Sequence, residues 1–310
     1  MTKISDRDGW IWLDGAFVPW RDANVHVLTH TLHYGLGVFE GIRAYETERG
    51  AAIFRLEEHI TRLFQSAYIY GMKIPFSQQE VMDACIESVS KNNLKNAYIR
   101  PMCFYGSENM GLRAKNLSTR VTVAAWDWGK YFTAEQQEKG LRLKTSSFAR
   151  HHVNVSMCRA KCNGHYVNSM AALSEALDDG YDEALMLTTE GFVSEGTGEN
   201  LFLVRKNKLI TPELSSCLEG ITRDTVIEIA EEMGYKTECR RVTRDEVYIS
   251  DEAFLCGTAC EIAAVAEVDR KAIGTGKRGK LTKAISDAYF AVVMGKNEKY
   301  RSYLSLCSQS

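Results

Sequence analysis

The chain has 310 residues, enough for two domains and a large buried core. Its 45% hydrophobic and 25% charged residues are those of an ordinary soluble globular protein, and 38 basic against 40 acidic residues leave a net charge of −2. That balance gives no electrostatic case for nucleic acid or an anionic membrane, and the apolar run "AYFAVVM" (288–294) is far too short to span a bilayer.

The first residues, "MTKISDRDGW", carry early acids and no apolar core, unlike a signal or transit peptide. Together with nine cysteines, an odd count, this points to reduced thiols in the cytoplasm. "WIWLDGAFVPW" (10–20) alternates around Asp14-Gly15 and predicts a tight hairpin. "RLEEHITRLFQSAYIYG" (55–71) puts Leu56, Ile60, Leu63, Phe64 and Ala67 on one helical face. Ser77 with Glu80 three positions on is a capping box opening the next helix. "NAYIRPMCFYG" (96–106) and "TRVTVAAWDW" (119–128) read as strands. The polar run "GKYFTAEQQEKG" (129–140) is expected to link a domain over 1–128 to one over 141–310. Strand-like pieces follow at 141–148, 183–189, 191–196 and 199–212. "ITRDTVIEIAEEMG" (221–234) reads as a helix with Val226, Ile229, Ala230 and Met233 inward and Gly234 as its stop. Strands come in groups instead of alternating with helices, which favours an α+β fold.

Several motifs carry possible chemistry. "GTGKRG" (274–279) fits G-x-G-x-x-G, but a dinucleotide site also needs a second parallel strand and a later acid, and the chain soon ends. Cys158/Cys162 and Cys256/Cys260 form two C-x3-C pairs, which read better as buried small hydrophobes than as zinc ligands. In "GFVSEGTGENLF" (191–202), small residues flank Glu195, so a flat ligand could approach the backbone closely. A glutamate beside a pyridine nitrogen would keep that nitrogen protonated and the ring electron-withdrawing. Lys161, in a small-residue stretch just before a helix, could be a solvated cation or a covalent anchor. Ile221 and Thr222, opening a helix after Gly220, could hold an anion, with Thr258 beside Gly257. Arg62 could clamp it, or pair with Glu58 four residues earlier. Tyr98 and Arg100, two apart on a strand, face the same side and together suit a carboxylate.

Six blocks, "HYGLGVFEGIRAY" (33–45), "AYIRP" (97–101), "AKCNGHY" (160–166), "SEGTGENLF" (194–202), "GITRD" (220–224) and "GTACEI" (257–262), give the chain a resemblance to the class IV, fold type IV pyridoxal-phosphate aminotransferases. It is most similar to their branched-chain amino acid group. The resemblance implies a two-domain α+β fold, a small α/β domain and a larger pseudo-barrel domain with pyridoxal 5'-phosphate between them, in a homodimer or dimer-based homo-oligomer. It implies transamination of L-leucine, L-isoleucine and L-valine with 2-oxoglutarate, giving branched-chain 2-oxo acids and L-glutamate by a ping-pong mechanism. Lys161 matches the lysine bonded to the cofactor, Glu195 the partner of its ring nitrogen, and Tyr166 the donor to its phenolic oxygen. Arg62, Ile221, Thr222 and Thr258 match the phosphate cup. Tyr98 and the backbone of Thr258-Ala259 match the α-carboxylate site, and Arg100 the receiver of glutamate's distal carboxylate. Phe39, Tyr34, Met110, Leu112, Trp128 and Tyr131 match the side-chain pocket, some from the partner subunit. The implied partners are small molecules alone, with no metal. Two departures are Cys162-Asn163-Gly164 after the lysine, and His165. D-amino acid aminotransferases and aminodeoxychorismate lyases share the lysine and the glutamate, and "AYIRP" with "HYGLGVFEGIR" favours the branched-chain group.

Overall fold

The computed structural model describes residues 3–113 and 116–307, and the chain divides into two compact units. The first comprises Met1–Gly129, Ala160–Gly164 and Val292–Ser310, and the second Lys130–Arg159 and His165–Ala291.

The first unit opens with the expected hairpin, β1 (Trp10–Leu13) and β2 (Ala16–Pro19). Asp14 and Gly15 both have positive φ, 49° and 95°, as a two-residue turn between twisted strands requires. There follow α1 (His30–Tyr34), β3 (Gly37–Phe39), β4 (Ile42–Thr47), β5 (Gly50–Phe54), α2 (Leu56–Ile69), α3 (Gln78–Lys91), β6 (Ala97–Tyr105) and β7 (Thr119–Trp126). With the chain's last strand, Leu304–Leu306, the described strands form an antiparallel sheet. Its order is Leu304–Leu306, β5, β4, β6, β7, β1, β2, and β3 pairs with β6. The helices α2 and α3 supply Leu56, Ile60, Leu63, Val81, Ala84 and Val89 to a core that also takes Ile42, Ile53, Ile99, Val121 and Val123 from the strands. The capping box at α3 is complete in both directions. Phe64 packs on this core but stays partly exposed. Beside its apolar stripe, α2 also turns inward a polar one, His59, Arg62 and Ser66, at helical spacing.

The second unit contains α4 (Ala134–Lys139), β8 (Leu141–Thr145), α5 (Tyr166–Asp178), β9 (Glu183–Leu187), β10 (Val193–Glu195), β11 (Asn200–Arg205), β12 (Lys208–Pro212), α6 (Ile221–Glu232), β13 (Thr237–Arg240), α7 (Arg244–Tyr248), β14 (Glu252–Gly257), β15 (Glu261–Val268), β16 (Lys271–Ala272) and α8 (Lys280–Val293). Its described strands form a mixed sheet of order β10, β9, β8, β15, β14, β11, β12, β13, with β16 on β15. β8 runs parallel to β9 and β15, and β12 parallel to β13.

Three details differ from the sequence expectations. The run 129–140 is no free link: Thr133 and Gln136 form a capping box that opens α4, and Phe132 is buried in the second unit's core. The division also crosses the expected boundary twice more, because Cys162 bridges to Val38 and Leu304–Leu306 pairs with β5. Met233 is not inward; it caps α6 and is 38% exposed, with Gly234 following at φ 82°.

Candidate active site

In the first unit the segment bearing Lys161 is pinned by its backbone. Phe39 N–H donates to the Lys161 carbonyl at 3.0 Å, and Lys161 N–H donates to Ser66 Oγ at 3.0 Å. Cys162 is buried and bridges to Val38, so the segment is an extra edge to β3 and the side chain of Lys161, half-buried, is set by it. Gly35, at φ 73°, comes close to Gly164, where an added Cβ would lie 3.4 Å from the Gly164 Cα. Lys161 Nζ stands 5.2 Å from the centre of the Phe39 ring, and the Arg100 guanidinium 4.5 Å from the same centre.

Tyr98 and Arg100 share a face of β6, as the strand alternation requires. Arg100 donates to the Tyr98 hydroxyl at 3.0 Å. That hydroxyl lies so close to residue 41 that a Cβ there would be 2.1 Å away, which only glycine avoids. The Tyr98 ring contacts Trp126 and Trp128, with centres 5.2 and 4.5 Å apart. Arg43 donates to the Gly129 carbonyl and fixes the turn after Trp128. Tyr34 Oη accepts from Gly111 N–H, and His30 bonds the Gly111 carbonyl, so Tyr34 sits with the loop of Met110 and Leu112. Of the expected pocket residues here, Phe39 and Tyr98 are buried while Tyr34, Met110, Leu112 and Trp128 are exposed.

Arg62 does not pair with Glu58, which bonds Arg55 instead. It grips Glu40 with two parallel bonds, Nε to Oε1 at 2.6 Å and an Nη to Oε2 at 2.9 Å. His59 Nδ1 lies 2.8 Å from Glu40 Oε2. Glu40 is wholly buried. Burial alone would push its carboxyl up, but the charge of Arg62 and the hydrogen bonds from His59 and Arg62 outweigh it and hold Glu40 well below the usual carboxylate range. Burial pulls His59 below the ordinary imidazole value, against the pull of Glu40 and with help from Arg62 and Lys161. His59 is therefore neutral at pH 7 and serves as an N–H donor beside a true Arg62–Glu40 ion pair. Sequence reasoning assigns no role to Glu40 or His59, although Glu40 lies inside "VFEGIR".

In the second unit Glu195 ends β10. A bulge at Ser194 lets Val193 and Glu195 face Leu187 and Met186 in succession, which re-aims the acid. Glu195 is 3% exposed, and its Oε1 lies 2.8 Å from Arg150 Nε. Arg150, 8% exposed, donates to Ser169 Oγ at 3.1 Å. The other oxygen of Glu195 accepts from Leu218 N–H at 3.3 Å and Asn200 Nδ2 at 3.5 Å. Asn200 also donates to the Leu218 carbonyl, so it ties Glu195 to the loop that enters α6. That helix starts after Gly220, whose cap makes no side-chain hydrogen bond, with Ile221 and Thr222 buried in the first turn. First-turn N–H groups have no partner within a helix. Thr258 and Ala259 form the half-buried turn between β14 and β15. Tyr166 opens α5, and Tyr131 packs against Phe132. The arginine that pairs with Glu195 is missed by sequence reasoning, because nothing near position 150 marks it.

The competing motifs have structural explanations. "GTGKRG" is a turn before α8 whose first N–H groups go to the Glu252 carboxylate, at 3.0 Å from Leu281 N and 2.7 Å from Thr282 N. A Cβ at Gly279 would overlap that carboxylate, so the site meant for a phosphate is filled by the protein's own acid. Cys158, Cys162, Cys256 and Cys260 are buried free thiols, and burial pushes Cys158 and Cys256 up from the ordinary thiol range. Among the described residues no group of three or more His, Cys, Asp or Glu is placed to hold a metal ion, and no helix is long and apolar enough to cross a membrane.

Residues 37–268 match the family described as amino-transferase class IV. The chain is 55% identical over 304 residues to the branched-chain-amino-acid aminotransferase of Pseudomonas aeruginosa, covering 98% of this chain and 99% of that protein. It is 43% identical over 310 residues to the Escherichia coli K12 protein of the same name, covering 99% of each. Among solved structures, the T.th. branched-chain amino acid aminotransferase complexed with N-(5'-phosphopyridoxyl)-L-glutamate superposes with a TM-score of 0.94 at 46% identity, over 97% of this chain and 99% of that one. The two-unit α+β fold described above is accordingly that of fold type IV, and the chain belongs to the class IV aminotransferases.

Proposed function

We propose that the chain is a pyridoxal-phosphate-dependent branched-chain amino acid aminotransferase that exchanges the amino group of L-leucine, L-isoleucine or L-valine with 2-oxoglutarate. The carrying observation is the Phe39 ring, which lies against both the Lys161 amine and the Arg100 guanidinium. One aromatic wall thus serves a reactive amine and a cation able to receive a second carboxylate.

The residues present fit the coenzyme. Glu195, buried against Arg150, suits a ring nitrogen that must stay protonated. The start of α6, with a glycine cap, suits a phosphate, and Arg62 held by Glu40 adds a fixed positive charge. When bound, pyridoxal phosphate supplies an electron sink that eases loss of the substrate's α-proton.

Lys161 Nζ would hold the coenzyme, and its free amine would take the substrate's α-proton and give it back. Tyr166 is proposed as donor to the phenolic oxygen, and Thr222 and Thr258 as phosphate donors. Tyr98 and the turn Thr258-Ala259 receive the α-carboxylate. Arg100 rests on the Tyr98 hydroxyl and the Phe39 face when an aliphatic side chain is bound, which spares it a buried unpaired charge. When glutamate is bound, Arg100 turns its donors to the distal carboxylate. Phe39, Tyr34, Met110, Leu112, Trp128 and Tyr131 form the proposed aliphatic wall. The exposure of Leu112 (87%) and Leu32 (65%) suits a homodimer that covers them. Nine free thiols suit the cytoplasm.

The test is a substrate panel with purified holoenzyme. L-leucine with 2-oxoglutarate should turn over at least about a hundredfold faster than D-leucine. Preference for the D-amino acid would overturn the assignment.

A further inference from the structure

We infer that Glu199 is a positioning residue that sets the turn following Glu195, beside the end of β14 that leads into Thr258-Ala259. This deepens the proposed function and rests on its reading of Glu195 as partner of the coenzyme nitrogen. Glu199 is 4% exposed, and its carboxylate folds back to accept Gly198 N–H at 3.0 Å. Its carbonyl accepts Gly196 N–H at 2.8 Å. The turn 196–198 is thereby held at both ends by one residue, while Thr197 N–H reaches the buried Glu183 at 3.4 Å. Two glycines let this happen. A Cβ at 196 would lie 2.9 Å from Glu199 Oε2, and one at 257 would lie 3.7 Å from Glu199 Cγ and 3.5 Å from the Gly198 carbonyl. Glu199 therefore holds the turn that follows the acid at 195 and lines the space beside Gly257, the end of β14 just before Thr258 and Ala259.

A shift of this turn moves Glu195 and the carboxylate-receiving loop together. Loss of the Glu199 acceptor removes the side-chain bond that closes the turn at Gly198, and the turn relaxes. Glutamine keeps a carbonyl in the same place, so the role requires an acceptor and not a charge.

The experiment is a double-mutant cycle of Gly196→Ala and Glu199→Ala with Glu199→Gln as the conservative control, each studied as holoenzyme. The readouts are the pH dependence of the coenzyme absorbance, the split of kcat and KM for L-leucine, and thermal stability. Glu199→Ala should shift the absorbance titration and cost at least about fivefold in kcat/KM. Gly196→Ala, which displaces the carboxylate sterically, should do the same. The double variant should be no worse than either single one. Glu199→Gln should recover to within about threefold of the parent. Additive losses, a glutamine variant as poor as the alanine one, or lower stability with unmoved absorbance and KM would each overturn the positioning role. If Glu199→Ala fails to fold, Gly196→Ala against Gly196→Ala/Glu199→Gln carries the same comparison, because the shared clash predicts equal losses and additive losses contradict it. A parent enzyme without a coenzyme absorbance would instead sink the reading of Glu195, which separates the two failures.

Discussion

The two units solve the same electrostatic problem with opposite signs. In the first, a proposed working cation, Arg62, is held by a fully buried acid, Glu40, with a neutral histidine as second donor. In the second, a proposed working acid, Glu195, is paired with a buried cation, Arg150, and takes its hydrogen bonds from an amide and a backbone N–H. A buried charge is costly unless it is paired and hydrogen-bonded, so each working group needs a partner of opposite charge that does no chemistry itself. The supporting partner is then as necessary as the group it supports, and it is the one that motif reading passes over.

That comparison can be broken by experiment. Lys161→Ala removes the covalent function from the first unit alone. It should abolish the yellow absorbance shift and cost about 10^4-fold or more in transamination, measured with L-leucine and 2-oxoglutarate; substantial turnover would refute the role. Arg150→Met and Glu40→Leu strip the supporting partner from each unit in turn. Each should lower unfolding free energy by about 3–5 kcal/mol in denaturant titrations, because a buried charge is left alone. A surface-like loss below about 1 kcal/mol in either unit would break the symmetry. Arg100→Leu should cut kcat/KM for the glutamate half-reaction by at least about thirtyfold and that for leucine by less than about threefold, since only glutamate brings a second charge. Equal losses would remove Arg100 from the specificity account.

The smallest expected effect is on acid stability. Glu40 is held below the usual carboxylate range, so its contribution is present above that range and is lost as pH falls through and below it. His59 is held neutral below its ordinary value, and the unfolded chain takes up the proton first, so stability also falls as pH drops below about 6.5. His59→Asn should flatten the stability curve just below about pH 6.5, by at most about 1.4 kcal/mol per pH unit, and leave the steeper limb near the carboxylate range. An unchanged slope there would show that folding does not lower the proton affinity of His59.

Local chemistry is legible in the sequence and tertiary pairing is not. The Asp14-Gly15 hairpin, the Ser77/Glu80 capping box and the shared face of Tyr98 and Arg100 depend on residues within a few positions of each other, and all three are present. Helical spacing offers Glu58 as a partner for Arg62, whereas its true partner lies 22 positions away on another element. Arg150 sits in an irregular segment with no periodic signal, and its pairing with Glu195 exists only once the sheet has formed. The later returns of 160–164 and 292–310 to the first unit are unmarked for a similar reason. A three-residue strand at 304–306 carries no mark of which sheet it will join, and the Lys161 segment looks continuous with the helix it precedes. The capping box at Thr133 and Gln136 is legible in principle, since it has the same form as the one at Ser77.

The covalent role of one amine underlies all of this chemistry. Borohydride reduction of the purified holoenzyme, followed by proteolysis and peptide mass mapping, tests it directly. A phosphopyridoxyl adduct is expected on the peptide carrying Lys161, with loss of the adduct in Lys161→Ala. An adduct on a different lysine, or none on a protein that still transaminates, would contradict it.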